Sequence, residues 1–294
     1  MQRIKAGSVT RPCLIVGHRG ARGLWPENTL AGFAGALMLG VDALELDVAL
    51  TADGVPVVSH DPALNPNITR DATGAWLSAP GSLIRALRAA ELAAYDVGRL
   101  RPGTPYAAAF PEQSPCDGER IPRLAEALRL GNGTNFIIEL KTWPGDPGCS
   151  AGGADLADAV LAVADAAGVT SRITVEGFDW SGPRHVRSVR PEVRLAWLTR
   201  AETVRNAALW WGGPHPAEFG GSVPRVVAAE GGPVWAPDHT DLTPDQLDEA
   251  HALGLAVIPW TVNEPKDMAR LIGWGVDGIV TDRPDRARKV AAMD

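Results

Sequence analysis

Glu45 and Asp47 stand two residues apart in the alternating run ALELDVAL, residues 43–50. Successive side chains of a strand point to opposite faces, so Leu44, Leu46 and Val48 share one face and the two acids share the other. Neighbouring carboxylates in an apolar strand repel each other and lose hydration, a cost that a bound cation relieves. Asp53-Gly54 then makes a tight turn, residues 55–58 form a second short apolar run, and His60-Asp61 follows directly. An acid pair, a turn and a histidine in this order are the parts of one half of a metal-assisted active site. A half-buried edge strand with a solvated polar face is the plainer alternative.

Further candidates sit at the ends of other apolar runs. Residues 13–17 lead into His18-Arg19-Gly20, and residues 136–140 carry Glu139 and lead into Lys141 on the same face. Residues 173–175 end at Glu176, residues 255–260 end in Trp260, and residues 278–280 precede Thr281-Asp282. Glu45, Asp47 and Glu139 offer hard carboxylate oxygens with no cysteine nearby, a donor set for Mg²⁺ or Ca²⁺ rather than zinc. Such a cluster still carries net negative charge with a divalent ion bound, and Arg19 and Lys141 supply what an anionic substrate then needs. Arginine grips a phosphate with two parallel hydrogen bonds. His18 and His60 supply one group to take a proton from an attacking oxygen and one to give a proton to a leaving alcohol. The set fits cleavage of a small-molecule phosphate diester. Each residue also has a bland reading: His18 as a helix cap or a carbonyl partner, Arg19 as the partner of Glu27, Lys141 as the neutraliser of Glu139, Trp260 as core. Glu176 fits a salt bridge as well as a site. Asp282 reads as structural, because Asp-Arg-Pro is a helix-entry sequence. His185, His215, His239 and His251 read as surface or structural.

These residues converge only if the apolar runs form one barrel. Runs at 13–17, 43–50, 136–140, 173–175, 193–198, 234–236, 255–260 and 278–280 are each followed by at least one helical stretch. The first helix is announced by Asn28-Thr29 and closed by Gly40. Eight strand–helix units without a composition break predict a single (β/α)8 TIM barrel, whose active sites lie where the strands end. No Gly-rich dinucleotide fingerprint follows the first strand. Residues 61–119 break the pattern, with one helical piece at 82–95, and read as a small insertion subdomain after the second strand. The loop 143–153 is long enough to cover the site.

The 294 residues are 45% hydrophobic, enough for one large core, and carry a net charge of -7. No basic stripe exists, which excludes nucleic acid as the expected partner. No run approaches the roughly 20 apolar residues of a membrane span, so stable membrane insertion is not expected. The N-terminus shows no apolar signal region of about 7–15 residues. The sequence as it stands predicts a cytoplasmic protein, or an exported one if a leader has been trimmed. Cys13 reads as a buried thiol; Cys116 and Cys149, both in Pro/Gly-rich loops, could pair in an oxidising compartment. The ten tryptophans are expected in core and pocket wall.

In order along the chain, His18-Arg19-Gly20, Pro26-Glu27-Asn28-Thr29, Glu45-Leu46-Asp47-Val48, Asp53-Gly54 and His60-Asp61 resemble the signature of the glycerophosphodiester phosphodiesterases. Glu139-Leu140-Lys141, Phe178-Asp179, Trp260-Thr261-Val262-Asn263 and the run from Gly278 to Asp282 extend the resemblance over nearly the whole chain. It implies a barrel with a small insertion after the second strand. It implies a divalent metal on Glu45, Asp47 and Glu139, acid–base catalysis by His18 and His60, and substrate contacts from Arg19 and Lys141, with Trp260 as pocket wall. The implied reaction is hydrolysis of a glycerophosphodiester to an alcohol and glycerol 3-phosphate, by water or through a cyclic phosphate. The chain departs from the family at Glu176-Gly177, where a small polar residue is usual before Phe-Asp. Asn65, Pro66, Asn67 and Arg70 are candidates for shaping alcohol specificity. A lysophospholipase D or sphingomyelinase-D-like enzyme is the competing reading; it requires an apolar rim, for which Trp76, Leu77, Phe110, Trp210 and Trp211 are candidates. A barrel that binds a phosphorylated ligand without catalysis is the other.

Overall fold

The architecture follows from period-two alternation carried round a closed ring of strands. The structure is a computed structural model that describes residues 13–130 and 133–292. Its strands are β1 (Leu14–Gly17), β2 (Ala43–Leu50), β3 (Pro56–Val58), β4 (Asn135–Leu140), β5 (Ile173–Gly177), β6 (Arg194–Thr199), β7 (Val234–Pro237), β8 (Ala256–Val257) and β9 (Gly278–Thr281). Eight of them are parallel in the order β8-β7-β6-β5-β4-β2-β1-β9. The remaining seam is crossed by backbone hydrogen bonds. Asp277 N–H donates to the Val257 carbonyl at 3.0 Å, Val280 N–H to Pro259 at 3.0 Å, and Val262 N–H to Val280 at 2.9 Å. With helices between the strands, this is a (β/α)8 barrel.

Leu44, Leu46 and Val48 face outward into a core shared with the helices, where Phe33 and Phe136 are also fully buried. The lumen is lined by Val16, Ala43, Ile137, Ala196, Val234, Ile258 and Val280. Two residues further along, the same inward direction passes to His18, Glu45, Glu139, Trp260 and Asp282 on five of these strands, and to the apolar Leu198 and Ala236 on β6 and β7. The polar rim is therefore continuous with the apolar lumen, and no chain reversal is needed to bring its members together.

The hairpin of β2 and β3 delivers His60. β3 runs antiparallel to β2, with Val48 opposite Val58. Its turn is fixed by Thr51 Oγ1 donating to Asp53 Oδ1 at 2.7 Å and by Gly54, whose φ of 73° a side chain would oppose. Helix Leu30–Met38 starts as expected at Thr29, whose Oγ1 accepts the Gly32 N–H at 3.0 Å.

Two elements differ from expectation. The helical piece at 82–95 reduces to a 3₁₀ turn, Ile84–Ala86, and a short helix, Ala89–Leu92. Leu87 is extended because its carbonyl accepts Ala52 N–H at 2.8 Å, while Asp53 Oδ1 caps Ala89 N–H at 2.9 Å. The run at 255–260 is regular strand only over Ala256–Val257, although the Ile258 and Trp260 N–H groups still donate to the Trp235 and Pro237 carbonyls of β7 at 3.0 and 3.1 Å. Trp260 also forms an isolated parallel bridge with Asp238. Between β3 and helix Leu124–Leu130 the chain packs Leu64, Ile84, Ala89 and Leu92 against Ala49 and Val57 of the hairpin. Cys116 and Cys149 are both free thiols: the first lies beside Gly98, while the second lies in a loop whose Pro147 and Ser150 carbonyls accept from Arg85. No helix among the described residues is long and apolar enough to cross a membrane.

Candidate active site

The parallel register sets the acidic cluster. Asp47 on β2 pairs with Glu139 on β4, and Glu139 with Glu176 on β5, so three carboxylates form a row across adjacent strands. Glu45 lies two residues before Asp47. Glu45, Asp47 and Glu139 each offer an oxygen within 4.8 Å of the others, and all three are buried. Burial, with Asp47, Glu176 and Glu139 alongside, raises the Glu45 carboxyl well above the ordinary range. Burial also raises Glu139, although Lys141 opposes it. At Asp47 burial is outweighed by Arg19, His60 and Lys141, which hold the group well below its ordinary value. Asp47 Oδ1 is buried with no hydrogen-bond donor; the nearest cation, Lys141 Nζ, stands at 3.6 Å. Two carboxyls pressed toward protonation beside an ionised one with an orphaned oxygen fit a divalent cation bound by hard oxygens.

The cations surround this cluster. Lys141 Nζ donates to Glu139 Oε1 at 2.7 Å. Arg19 has φ of 50°, which turns its N–H onto Glu45 Oε2 at 2.8 Å and its guanidinium onto Glu27 Oε1 at 2.8 Å, with Nε 3.1 Å from Asp47 Oδ2. Arg19 is thus both the partner of Glu27 and a lining residue of the cavity. Asn28, also at positive φ, donates to Asp47 Oδ2 at 2.9 Å.

His18 Nδ1 lies 2.6 Å from Asp282 Oδ1. Asp282 also accepts two hydrogen bonds from Arg22, each 3.0 Å, and one from Asn263 at 2.8 Å. Burial alone would raise Asp282, but His18 and Arg22 hold it far below the carboxylate range. A carboxylate only accepts, so Nδ1 carries the proton and Nε2 presents its lone pair, 3.9 Å from Glu45 Oε2. Burial pushes His18 down to about 4, Arg22 and Arg19 act in the same direction, and Asp282 opposes them. The ring is neutral near pH 7. His60 Nδ1 meets Asp61 Oδ1 at 2.9 Å, and Asn65 Nδ2 holds Asp61 Oδ2 at 2.7 Å.

His18, Arg19, Glu45, His60, Glu139, Lys141 and Trp260 share one cavity of about 270 Å³, and Asp47 lies beside it among the ligand oxygens. Trp260 is a wall rather than core: its ring meets Phe178 edge-on at 5.3 Å. Asp282 is corrected from a helix-entry residue to the partner of His18. Its place at the end of β9, two residues beyond the lumen residue Val280, is the signal that would have found it. Arg22, Asn263 and Arg200 were also missed. Arg70 is engaged by Asp96 at 2.8 Å and Asp117 at 2.6 Å. The loop 143–153 is tied to Arg85 and contributes no residue to the lining of this cavity. Of the apolar-rim candidates, Trp210 meets the cavity residue Phe178 edge-on at 6.5 Å, and two others are placed elsewhere. Trp211 is core, stacked on Trp180 at 4.3 Å, and Phe110 is covered by Arg22 at 4.6 Å. Residues 105–113 support the site instead: the Tyr106 hydroxyl donates to Glu27 Oε2, and Gln113 Nε2 donates to the Arg22 carbonyl at 2.7 Å.

Residues 18–286 match the model of the glycerophosphoryl diester phosphodiesterase family, and the chain belongs to that family. A glycerophosphodiester phosphodiesterase of Caldanaerobacter subterraneus subsp. tengcongensis is 28% identical over 275 residues, covering 92% of this chain and 95% of that one. A crystal structure of a chain assigned to the same phosphodiesterase class, from Silicibacter pomeroyi DSS-3, is 40% identical with a TM-score of 0.86, covering 96% of this chain and 93% of that one. An Oleispira antarctica phosphodiesterase, solved with the product sn-glycerol-3-phosphate, has the same fold at 22% identity and a TM-score of 0.72, covering 95% and 96%.

Proposed function

We propose that this family member hydrolyses glycerophosphodiesters to an alcohol and glycerol 3-phosphate, with His18 as general base and His60 as general acid. The observation that carries the reading is the His18–Asp282 pair. A neutral imidazole, held through Nδ1, aims its free Nε2 into a cavity shared with a metal-type carboxylate triad and a second histidine. His18 Nε2 takes the proton of the attacking oxygen, either water or the neighbouring glycerol hydroxyl. The bond from phosphorus to the leaving alcohol breaks, and His60 returns a proton to that alcohol. By the water route this step gives glycerol 3-phosphate directly. By the hydroxyl route it gives a cyclic phosphate, which a second addition of water opens. Asp282 stabilises the imidazolium formed on His18 and fixes its tautomer, a positioning role. Arg19 and Lys141 offset the phosphate's charge, and Trp260 with Phe178 forms the wall on which the substrate rests. Glu45, Asp47 and Glu139 would hold Mg²⁺ or Ca²⁺, which when bound supplies Lewis-acid charge for the phosphate oxygens.

The test is release of glycerol 3-phosphate from glycerophosphocholine and glycerophosphoethanolamine with Mg²⁺, with Ca²⁺ and with EDTA. Release is expected with metal and lost with chelator. His18→Ala and His60→Ala are each expected to reduce kcat by at least about 10²-fold in a folded protein. Wild-type turnover in either variant would sink the acid–base assignment.

A further inference from the structure

Glu176 is a buried carboxyl without a partner. It is 5% exposed, and it makes no hydrogen bond or ion pair with any described residue. Every other buried ionisable group around it is paired: Arg19 with Glu27, Lys141 with Glu139, Asp282 with His18 and Arg22. Its register opposite Glu139 points it into the lumen. There it forms part of the floor of the 270 Å³ cavity and also closes the apolar lower lumen beneath. A desolvated carboxyl left unpaired costs free energy, and a ligand that supplies a hydrogen bond recovers it.

The surroundings define the ligand's chemistry. Phe178 and Trp260 make an edge-to-face wall above Glu176. Arg200 lies over the Phe178 ring at 5.3 Å; its Nη2 pairs with Glu202 Oε2 at 2.5 Å and its side chain is 42% exposed, while its Nε is buried without a hydrogen-bond partner. An aromatic wall takes the C–H face of a short polyol, and the carboxyl and guanidinium take its hydroxyls. The opposite lip, at His60, opens to solvent, with the His60 and Asp61 side chains 32% and 34% exposed. The variable alcohol half leaves on that side, and the constant half goes to the closed floor.

We propose that Glu176 recognises a free hydroxyl of the substrate's glycerol half and sets the enzyme's requirement for glycerol over a deoxy analogue. This rests on the proposed phosphodiesterase reading. The experiment compares wild type, Glu176→Ala and Glu176→Gln on glycerophosphocholine and on the corresponding diester of 1,2-propanediol, which lacks the terminal hydroxyl. Wild type is expected to lose about 10–100-fold in kcat/KM on the deoxy substrate. Glu176→Ala is expected to show a similar loss on glycerophosphocholine and to treat the two substrates alike, with Glu176→Gln intermediate. Neither variant breaks a hydrogen bond or ion pair, and Glu176→Gln also keeps the side-chain volume, so its melting curve, expected to match wild type, separates the ligand contact from packing. Discrimination in Glu176→Ala equal to wild type overturns the proposal. A tenfold weaker calorimetric Kd for Mg²⁺ or Ca²⁺ in Glu176→Ala also overturns it, by making the residue a metal ligand. Calorimetric binding of sn-glycerol 3-phosphate and its deoxy analogue to the same proteins reads the contact without turnover. An inactive wild type would therefore sink the reaction while the contact is judged by binding alone.

Discussion

Replacing Asp282 by Asn tests whether His18 acts through the tautomer that the structure gives it. The carboxylate accepts from His18 Nδ1 at 2.6 Å, from Arg22 twice at 3.0 Å and from Asn263 at 2.8 Å. An amide of the same shape has one acceptor oxygen, for which Arg22 and Asn263 compete. If its NH₂ turns to His18, Nδ1 becomes the acceptor, the proton moves to Nε2, and the base loses the lone pair that faces the cavity. The imidazolium formed during turnover also loses its counter-charge. At an effective separation of about 4 Å and a dielectric of about 20, that interaction is worth about 4 kcal/mol. At about 1.4 kcal/mol per decade this predicts a loss of about 10³ in kcat, with metal affinity unchanged. Asp282→Asn also leaves the Arg22 charge buried beside a neutral group, so stability falls by about 3–5 kcal/mol. Arg22→Gln separates the two effects, because it breaks the same ion pair but leaves the carboxylate on His18. Both variants are expected to melt early, and only Asp282→Asn to lose three decades in kcat for glycerol 3-phosphate release at saturating substrate and metal. A folded Asp282→Asn enzyme within tenfold of wild type would refute the reasoning.

Metal binding is expected to release protons. Burial raises the Glu45 and Glu139 carboxyls in the metal-free protein, so a cation displaces protons and its apparent affinity falls as pH is lowered through their raised range. Calorimetry over a range of pH in two buffers of different ionisation enthalpy should read a proton release on metal binding that grows as the pH is lowered, and zero release at every pH would contradict the reading. Tyr106→Phe removes the hydroxyl that donates to buried Glu27 but leaves the Arg19–Glu27 pair in place. It should cost about 1–3 kcal/mol in denaturant unfolding with a small change in kcat. Unchanged stability would mean that residues 105–109 do not brace Arg19.

The barrel was legible because its signal is local and repeated. Each strand is a short apolar run, each polar rim residue follows at the same alternation, and eight such units leave little topological choice. What the sequence lacked was the identity of long-range backbone partners. Leu87 is extended because Ala52 takes its carbonyl, and Ala89 is capped by Asp53, contacts from a hairpin more than 30 residues earlier. A helical pattern read from 82–95 alone could not contain them. The same holds at 255–260, where Ile258 and Trp260 donate to β7 while the Val257 and Pro259 carbonyls accept from Asp277 and Val280, partners that the run itself does not name.

For the site, the residues that meet were legible and their pairings were not. Glu45 and Asp47 are on one face by spacing alone, and Lys141 was correctly weighed against Glu139 because the two are neighbours on one strand. His18 and Asp282 are 264 residues apart, and only ring closure between β1 and β9 sets them side by side. Read locally, Asp-Arg-Pro is a helix entry, and the helix Pro284–Ala291 does begin there. The side chain nevertheless points two residues back along the strand's alternation, into the rim. Strand phase and helix capping made different statements about one residue, and the closed barrel decides for phase, because there the lumen-facing carboxylate is paired with both a histidine and an arginine. Glu176 obeys the same phase without any partner. That contrast is the physical basis for assigning it to a ligand rather than to the fold.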